Sequence, residues 1–153
     1  RYTVSQTNGL VCEDSCVEFF FTPNNQPDTN NYFNIETNCG GTILMHYNDK
    51  KASQRKPVDE KLISRIQIYH SMPAKVNPEI KEPTTWLLQY RLPFEIFSAF
   101  QNFTRPEPGT IWRANFYKCA DKSSMPHWLT WNKVENPFPD FHLPEYFGIL
   151  KFI

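Results

Sequence analysis

The sequence predicts an all-β domain built as an antiparallel β-sandwich, and three observations carry that prediction. Aromatic residues make up 16% of the chain and its 13 prolines outnumber its 5 glycines, a composition of strands joined by rigid loops rather than of helices. Apolar and polar residues alternate in several short runs bounded by turn-forming residues, the period of a half-buried strand. No strand–helix–strand rhythm separates those runs, so the strands read as antiparallel. At 153 residues the chain is one domain, 1–153, large enough to bury a core without disulfide or metal staples.

The run CVEFFFTP sets Val17, Phe19 and Phe21 on one side of a strand and Cys16, Glu18 and Phe20 on the other. NNQPDTNN reads as a turn and YFNIET alternates again. Residues 17–22 and 32–37 are therefore expected to form an antiparallel hairpin with a long polar tip, Asn34 and Glu36 sharing a face. Gly40 and Gly41 permit a bulge or sharp bend before TILMHYN resumes as a third strand. The charged, aperiodic stretch 49–60 reads as an exposed loop, and alternation over 63–69 as a strand with one wet face. In TTWLLQYRLP, Trp86, Leu88, Tyr90 and Leu92 face one way, Gln89 and Arg91 the other. Phe94, Phe97 and Phe100 stand near helical spacing, so 94–100 reads as a short helical turn closing one end of the core. TIWRANFYKC puts Trp112, Ala114 and Phe116 opposite Ile111, Arg113, Asn115 and Tyr117. WLTW and YFGILKFI supply two last strands. The apolar sides predict Val17, Phe19, Trp86, Leu88, Trp112 and Phe116 as core.

Composition excludes some functions. Lys plus Arg and Asp plus Glu number 16 each, and the basic residues are scattered, which argues against nucleic-acid binding through a charged face. No run approaches the roughly 18 apolar residues of a membrane span, and the start RYTVSQTNG has no apolar signal region. Cys12, Cys16, Cys39 and Cys119 lack the paired knuckles of a zinc site. Buried free thiols and a single disulfide both remain open for them.

Candidate chemistry is sparse. Glu13, Asp14 and Glu18 are the local carboxylate cluster, with a glycosidase pair, calcium ligation and a solvated turn at Glu13 and Asp14 as the readings. Glu18 differs, because it lies inside an apolar strand where an unpaired carboxylate is costly. It is expected either to pair with Arg91 or Arg113 or to face a ligand. Asn115, if buried, must be pinned by backbone or face a ligand too. His46, His70, His127 and His142 fall in no metal-ligating pattern, and no serine sits in a nucleophile elbow. Asn102-Phe103-Thr104 fits a glycosylation sequon. Phe138 and Phe141 lie between prolines, poorly placed for a strand ladder. Such rings either plug the end of the sandwich or stack a sugar, whose C–H face covers an aromatic ring while its hydroxyls reach polar neighbours.

The segments VCEDSCVEFFFTP, YFNIETNCGGT, WRANFYKC and WNKVENPFPDFHLPEYFGILKF resemble the carbohydrate-binding domains grouped with family 9 xylan-binding modules, in the branch often found in Bacteroidetes. The match runs from about Val11 to Phe152, and Pro144 to Phe152 is its most specific part. The resemblance implies an immunoglobulin-like sandwich that binds sugars without hydrolysing them, in relatives by clamping the reducing end of a glycan between two tryptophans. Glu18 matches the family's hydrogen-bonding glutamate. The first clamp tryptophan falls on Cys12, the partner arginine on Asn34 and the second tryptophan on Phe141, with Phe138 beside it. The resemblance also implies a structural calcium, for which no ligands can be assigned in this chain, and earlier strands before Arg1, so the chain is expected to belong to a longer polypeptide. The expected function is a non-catalytic binding domain of a secreted or periplasmic protein, its partner a carbohydrate and an attached catalytic domain. The alternatives are a structural sandwich that has lost the sugar site and an accessory domain of a xylanase-like hydrolase.

Overall fold

The computed structural model describes residues 1–23, 31–49, 54–73, 75–100, 103 and 105–153. The tip of the first hairpin and the asparagine and threonine of the sequon lie outside the described residues. In chain order the elements are β1 (Cys16–Thr22), β2 (Tyr32–Asn38), β3 (Ile43–Asp49), β4 (Gln54–Pro57), α1 (Glu60–Ile63), β5 (Gln67–His70), β6 (Leu88–Arg91), α2 (Glu95–Ser98), β7 (Ile111–Cys119), β8 (Trp128–Thr130) and β9 (Gly148–Lys151). The strands make a seven-stranded antiparallel sheet in the order β4-β3-β2-β1-β7-β8, and β5 and β6 a separate ribbon. The outer edge of β7 is shared end to end, with β9 along its first half and β8 along its last residues. Among the described residues no helix is long and apolar enough to cross a membrane.

The hairpin has the expected register, with Val17 opposite Thr37, Phe19 opposite Ile35 and Phe21 opposite Phe33. Because side chains alternate, one face of the large sheet carries Phe19, Phe21, Phe33, Ile35, Met45, Trp112 and Ala114, all buried. Over it pack the β5–β6 ribbon, through the partly buried Ile68 and Tyr90, and the two short helices with the turn after α1, through Ile63, Ile66, Ile96 and Phe97. The result is an all-β sandwich with one large and one small layer. Its centre is aromatic: Phe21 stacks on Trp112 at 5.4 Å and meets the edge of Phe97 at 5.2 Å.

Phe19, at 9% exposure, and Trp112, at 3%, are core as expected, and the helical turn predicted over 94–100 is α2. Val17, Trp86 and Leu88 are only half-buried, and Phe116 is 41% exposed. Phe116 does lie on the apolar side, stacked on Phe19 at 4.8 Å with Trp131 against it, but the small covering layer leaves that end of the sheet open. The stretch 49–60 is not all loop, since β4 adds an edge strand and Val58 is buried. The strand predicted over 63–69 begins only at Gln67. Asp59 caps the nitrogen of Lys61 at 2.7 Å, and the following Leu62, Ile63 and Ile66 reach the core at helical spacing.

The two glycines act differently. Gly41 turns the chain with φ at +85°, a conformation that favours glycine, while a side-chain carbon on Gly40 would run into the ring of Tyr2. Tyr2 is buried and its hydroxyl lies 3.0 Å from that of Thr42. Gly40→Ala is therefore expected to cost roughly 1–3 kcal/mol by overpacking, read in chemical denaturation as a lower midpoint at unchanged slope.

Candidate functional site

The opposite face of the large sheet carries Cys16, Glu18 and Phe20 from β1, Asn34, Glu36 and Asn38 from β2, His46 and Asn48 from β3, and Asn115, Tyr117 and Cys119 from β7. Among the described residues, no second sheet covers this polar face. The first residues of the chain and the aromatic segment do so, through Val4, Val11 and Cys12 on one side and Val134, Phe141 and Phe147 on the other. These segments satisfy several of the buried polar groups, while His46 Nδ1 and Asn48 Oδ1 are buried with no hydrogen-bond partner among the described residues. The Asn115 amide donates to the Asn132 carbonyl and accepts from its nitrogen, at 3.0 and 2.8 Å. Asn115 is thus pinned by backbone, bridging the gap between β8 and β9. Asp14, expected in a solvated turn, is fully buried. It accepts from the backbone nitrogens of Thr3 and Val4, both at 2.8 Å, and from Thr3 Oγ1, Asn38 Nδ2 and Arg1 Nε.

Between the two covering segments a pocket of about 270 Å³ opens onto the sheet, lined by Leu10, Cys12, Glu18, Glu36, Leu44, His46, Arg55, Cys119, Asp121, Trp128, Pro139, Asp140, Phe141 and His142. Glu18 and Glu36 are direct cross-strand partners on its floor. Phe141 rests one face on Tyr117, ring centroids 4.2 Å apart and planes within 12°, and the Tyr117 hydroxyl donates to the Phe141 carbonyl. His142 Nδ1 lies 2.7 Å from the Tyr32 hydroxyl. Trp128 donates its ring N–H to Asp121 at 2.9 Å and keeps 44% of its surface exposed. Trp128 and Phe141 also border an adjoining depression that holds Phe138. A larger cavity of about 480 Å³ lies elsewhere, between Arg65, Arg91, Phe94 and Arg105, but it has no buried polar floor.

Burial and the neighbouring Glu36 charge hold the Glu18 carboxyl well above the usual carboxylate range, and the thiol of Cys119 donates to Glu18 Oε1 at 3.0 Å. Burial raises Glu36 to about 7 against the opposing hydrogen bond from Asn34 and the charge of Arg55. Burial, and then Glu36, pushes the Cys12 thiol up to about 12. Burial and Arg55 lower His46 and bring His142 down to about 4, so both imidazoles are neutral at pH 7. Both floor carboxyls hold their protons more tightly in the fold than in the unfolded chain. The stabilising contribution of Glu36 is thus intact below about pH 4.3 and is lost as pH rises through about 7. Glu36→Gln is expected to flatten that decline and to stabilise the domain at neutral pH by on the order of 1–3 kcal/mol. Denaturation midpoints measured across pH 4 to 8 check this, and an unchanged profile would mean that Glu36 titrates normally.

The fold brings Glu18 and Phe141 to one pocket and places Phe138, 75% exposed, beside it. Glu18 does not pair with Arg113, which donates instead to the Phe147 carbonyl at 2.6 Å. Asn34 is fully buried below the pocket, donating to Glu36 Oε1 at 3.0 Å and accepting from Asn48 Nδ2 at 2.6 Å. The arginine facing the site is Arg55 of β4, a strand that the charged stretch 49–60 concealed. Glu36, His46, Asp121, Trp128 and His142 were also missed as pocket residues. Only Glu36 had a usable signal, its shared face with Asn34. Among the described residues, the metal-ligating side chains that gather are Cys16, Glu18 and Cys119, a sulfur-rich set that does not fit calcium, which takes six to eight oxygens.

The chain matches carbohydrate-binding family 9 over residues 1–152. The crystal structure of a candidate carbohydrate-binding protein from Bacteroides uniformis aligns with it at a TM-score of 0.76 and 31% identity, covering 97% of this chain. This chain spans 66% of the length of that protein. None of the curated proteins compared with the chain matches it.

Proposed function

The chain belongs to carbohydrate-binding family 9 and is a carbohydrate-binding domain, and from that premise we propose that the pocket on the polar face of its large sheet is where a sugar ring binds. The observation that carries the reading is the meeting of two aromatic rings, Phe141 and Trp128, with the buried carboxyls of Glu18 and Glu36 in one pocket. A pyranose lays its C–H face on a ring and its hydroxyls on a few fixed polar groups. Phe141, backed by Tyr117, supplies the platform. Glu18 and Glu36 accept from sugar hydroxyls, and Arg55 donates to them. Asn34 positions Glu36 from below rather than touching the ligand. Phe138 extends the surface for a second sugar unit.

We read the domain as non-catalytic. Glycosidases flank the scissile bond with two carboxyl groups, whereas Glu18 and Glu36 sit side by side on neighbouring strands and approach a ligand from one side. The ligand class is xylan or another plant polysaccharide fragment, met by a secreted or periplasmic protein that carries a catalytic domain elsewhere in its chain. A structural sandwich without a sugar site is less well supported, because Phe138 stays exposed and, among the described residues, no arginine holds Glu18. Screening the purified protein on xylo-, cello- and manno-oligosaccharides tests the proposal. Retention on one of these classes is expected, with dissociation constants nearer millimolar than micromolar, roughly 4–6 kcal/mol, since Cys12 stands where an opposing ring would. No retention on any glycan would favour the structural sandwich.

A further inference from the structure

The three side chains that gather at the base of the pocket make a different kind of site. Cys16 and Cys119 are direct cross-strand partners on β1 and β7, and Glu18 follows Cys16 on the same face two residues on. The two sulfur atoms and a Glu18 oxygen all lie within 4.8 Å of one another, and all three residues are buried. Both sulfurs are free thiols. We propose that Cys16, Cys119 and Glu18 hold a borderline-soft divalent transition metal of the zinc class, with its remaining position facing the pocket.

Ligand chemistry and geometry both support this. Zinc takes thiolate sulfur at about 2.3 Å and carboxylate oxygen at about 2.0–2.2 Å in a tetrahedron, so its ligand atoms stand roughly 3.5–3.8 Å apart, inside the 4.8 Å that bounds the three atoms here. Glu18 and Cys119 both line the pocket, which gives a water or other fourth ligand its way in. A buried carboxylate also needs a compensating charge. Glu18 has as its partner only the Cys119 thiol among the described residues. A divalent ion satisfies the carboxylate and both sulfurs together. A Cys16–Cys119 disulfide would instead remove the one donor Glu18 has. Binding displaces to solvent the proton of each thiol and any proton held by the Glu18 carboxyl, the metal keeps its oxidation state, and the ion ties β1 to β7 while fixing Glu18 at the pocket floor.

The test uses the reduced full chain with Co²⁺ as the probe and no sugar present, so its outcome is independent of whether the pocket binds a glycan. One equivalent of Co²⁺ is expected to give a thiolate-to-cobalt charge-transfer band and intense tetrahedral d–d absorption. Zn²⁺ should abolish both, and should raise the thermal midpoint, reversed by a chelator. Cys16→Ser and Cys119→Ser should each lose most of the band. Glu18→Gln should keep a sulfur band but bind at least tenfold more weakly, and Cys39→Ser, outside the cluster, should match the parent. The spectrum of free Co²⁺ with no thermal shift from Zn²⁺ in the parent protein would overturn the proposal. So would an undiminished band in folded Cys16→Ser or Cys119→Ser, or a Cys16–Cys119 disulfide in the protein as isolated.

Discussion

Replacing Trp112 with alanine is expected to remove roughly 3–5 kcal/mol of folding stability. Its ring, 3% exposed, lies where the two layers meet, stacked on Phe21 and touching the edges of Phe97, Phe103 and Phe152. Those neighbours come from both layers and from the chain following β9, so no single segment can move in to fill the void. Equilibrium urea unfolding measures the effect. A loss below about 1 kcal/mol would mean that the small layer does not close over this face. Phe116→Ala is the internal contrast, since Phe116 shares the strand and face of Trp112 but is 41% exposed.

Asp14→Ala is expected to cost roughly 2–4 kcal/mol, because it leaves buried donors without their acceptor. The carboxylate gathers the backbone nitrogens of Thr3 and Val4, the Thr3 hydroxyl, the Asn38 amide and the Arg1 guanidinium, tying the first residues of the chain to β2. Burial works to raise its pKa, but the Val4 and Thr3 hydrogen bonds and the Arg1 guanidinium outweigh it and bring it below the ordinary carboxylate value. For an acid held lower in the fold, the stabilisation is present above its unfolded pKa of about 3.9 and is lost as pH falls through the folded value. The parent should therefore lose stability below about pH 4, and Asp14→Ala should be destabilised at neutral pH and lose less on acidification. Equal stability at pH 7 would show that Asp14 does not anchor the amino-terminal segment.

The fold was legible where burial follows alternation. Phe19 and Trp112 declared the core because each is covered, and α2 was visible in the spacing of Phe94, Phe97 and Phe100. Elsewhere a local cue or a missing cover decided. Asp59 capped a helical turn within an alternating run, and the short β5–β6 ribbon left Phe116 open. The polar face was harder to read, because its residues earn their meaning only through the order β3-β2-β1-β7. Glu18 stood out alone as a carboxylate among apolar residues, and Phe141 as a ring between prolines. Arg55 reaches the same pocket from a strand far in the chain from Asp121 and Trp128, and nothing in its local sequence announces it. Cys16 and Cys119 are 103 residues apart in number, 119 minus 16, and neighbours only through strand pairing.

Calorimetric titration with xylo-, cello- and manno-oligosaccharides, performed on the parent protein, Phe141→Ala and Glu18→Gln, tests the central claim most directly. The parent should release heat with at least one of these glycans. Losing the Phe141 ring should cost on the order of 1–3 kcal/mol, by comparison with stacking on aromatic side chains, and weaken binding about tenfold or more. Glu18→Gln should weaken it as well by replacing a carboxyl at the pocket floor with an amide. No heat with any of the glycans, or binding indifferent to both substitutions, would contradict the assignment of this pocket as the sugar site.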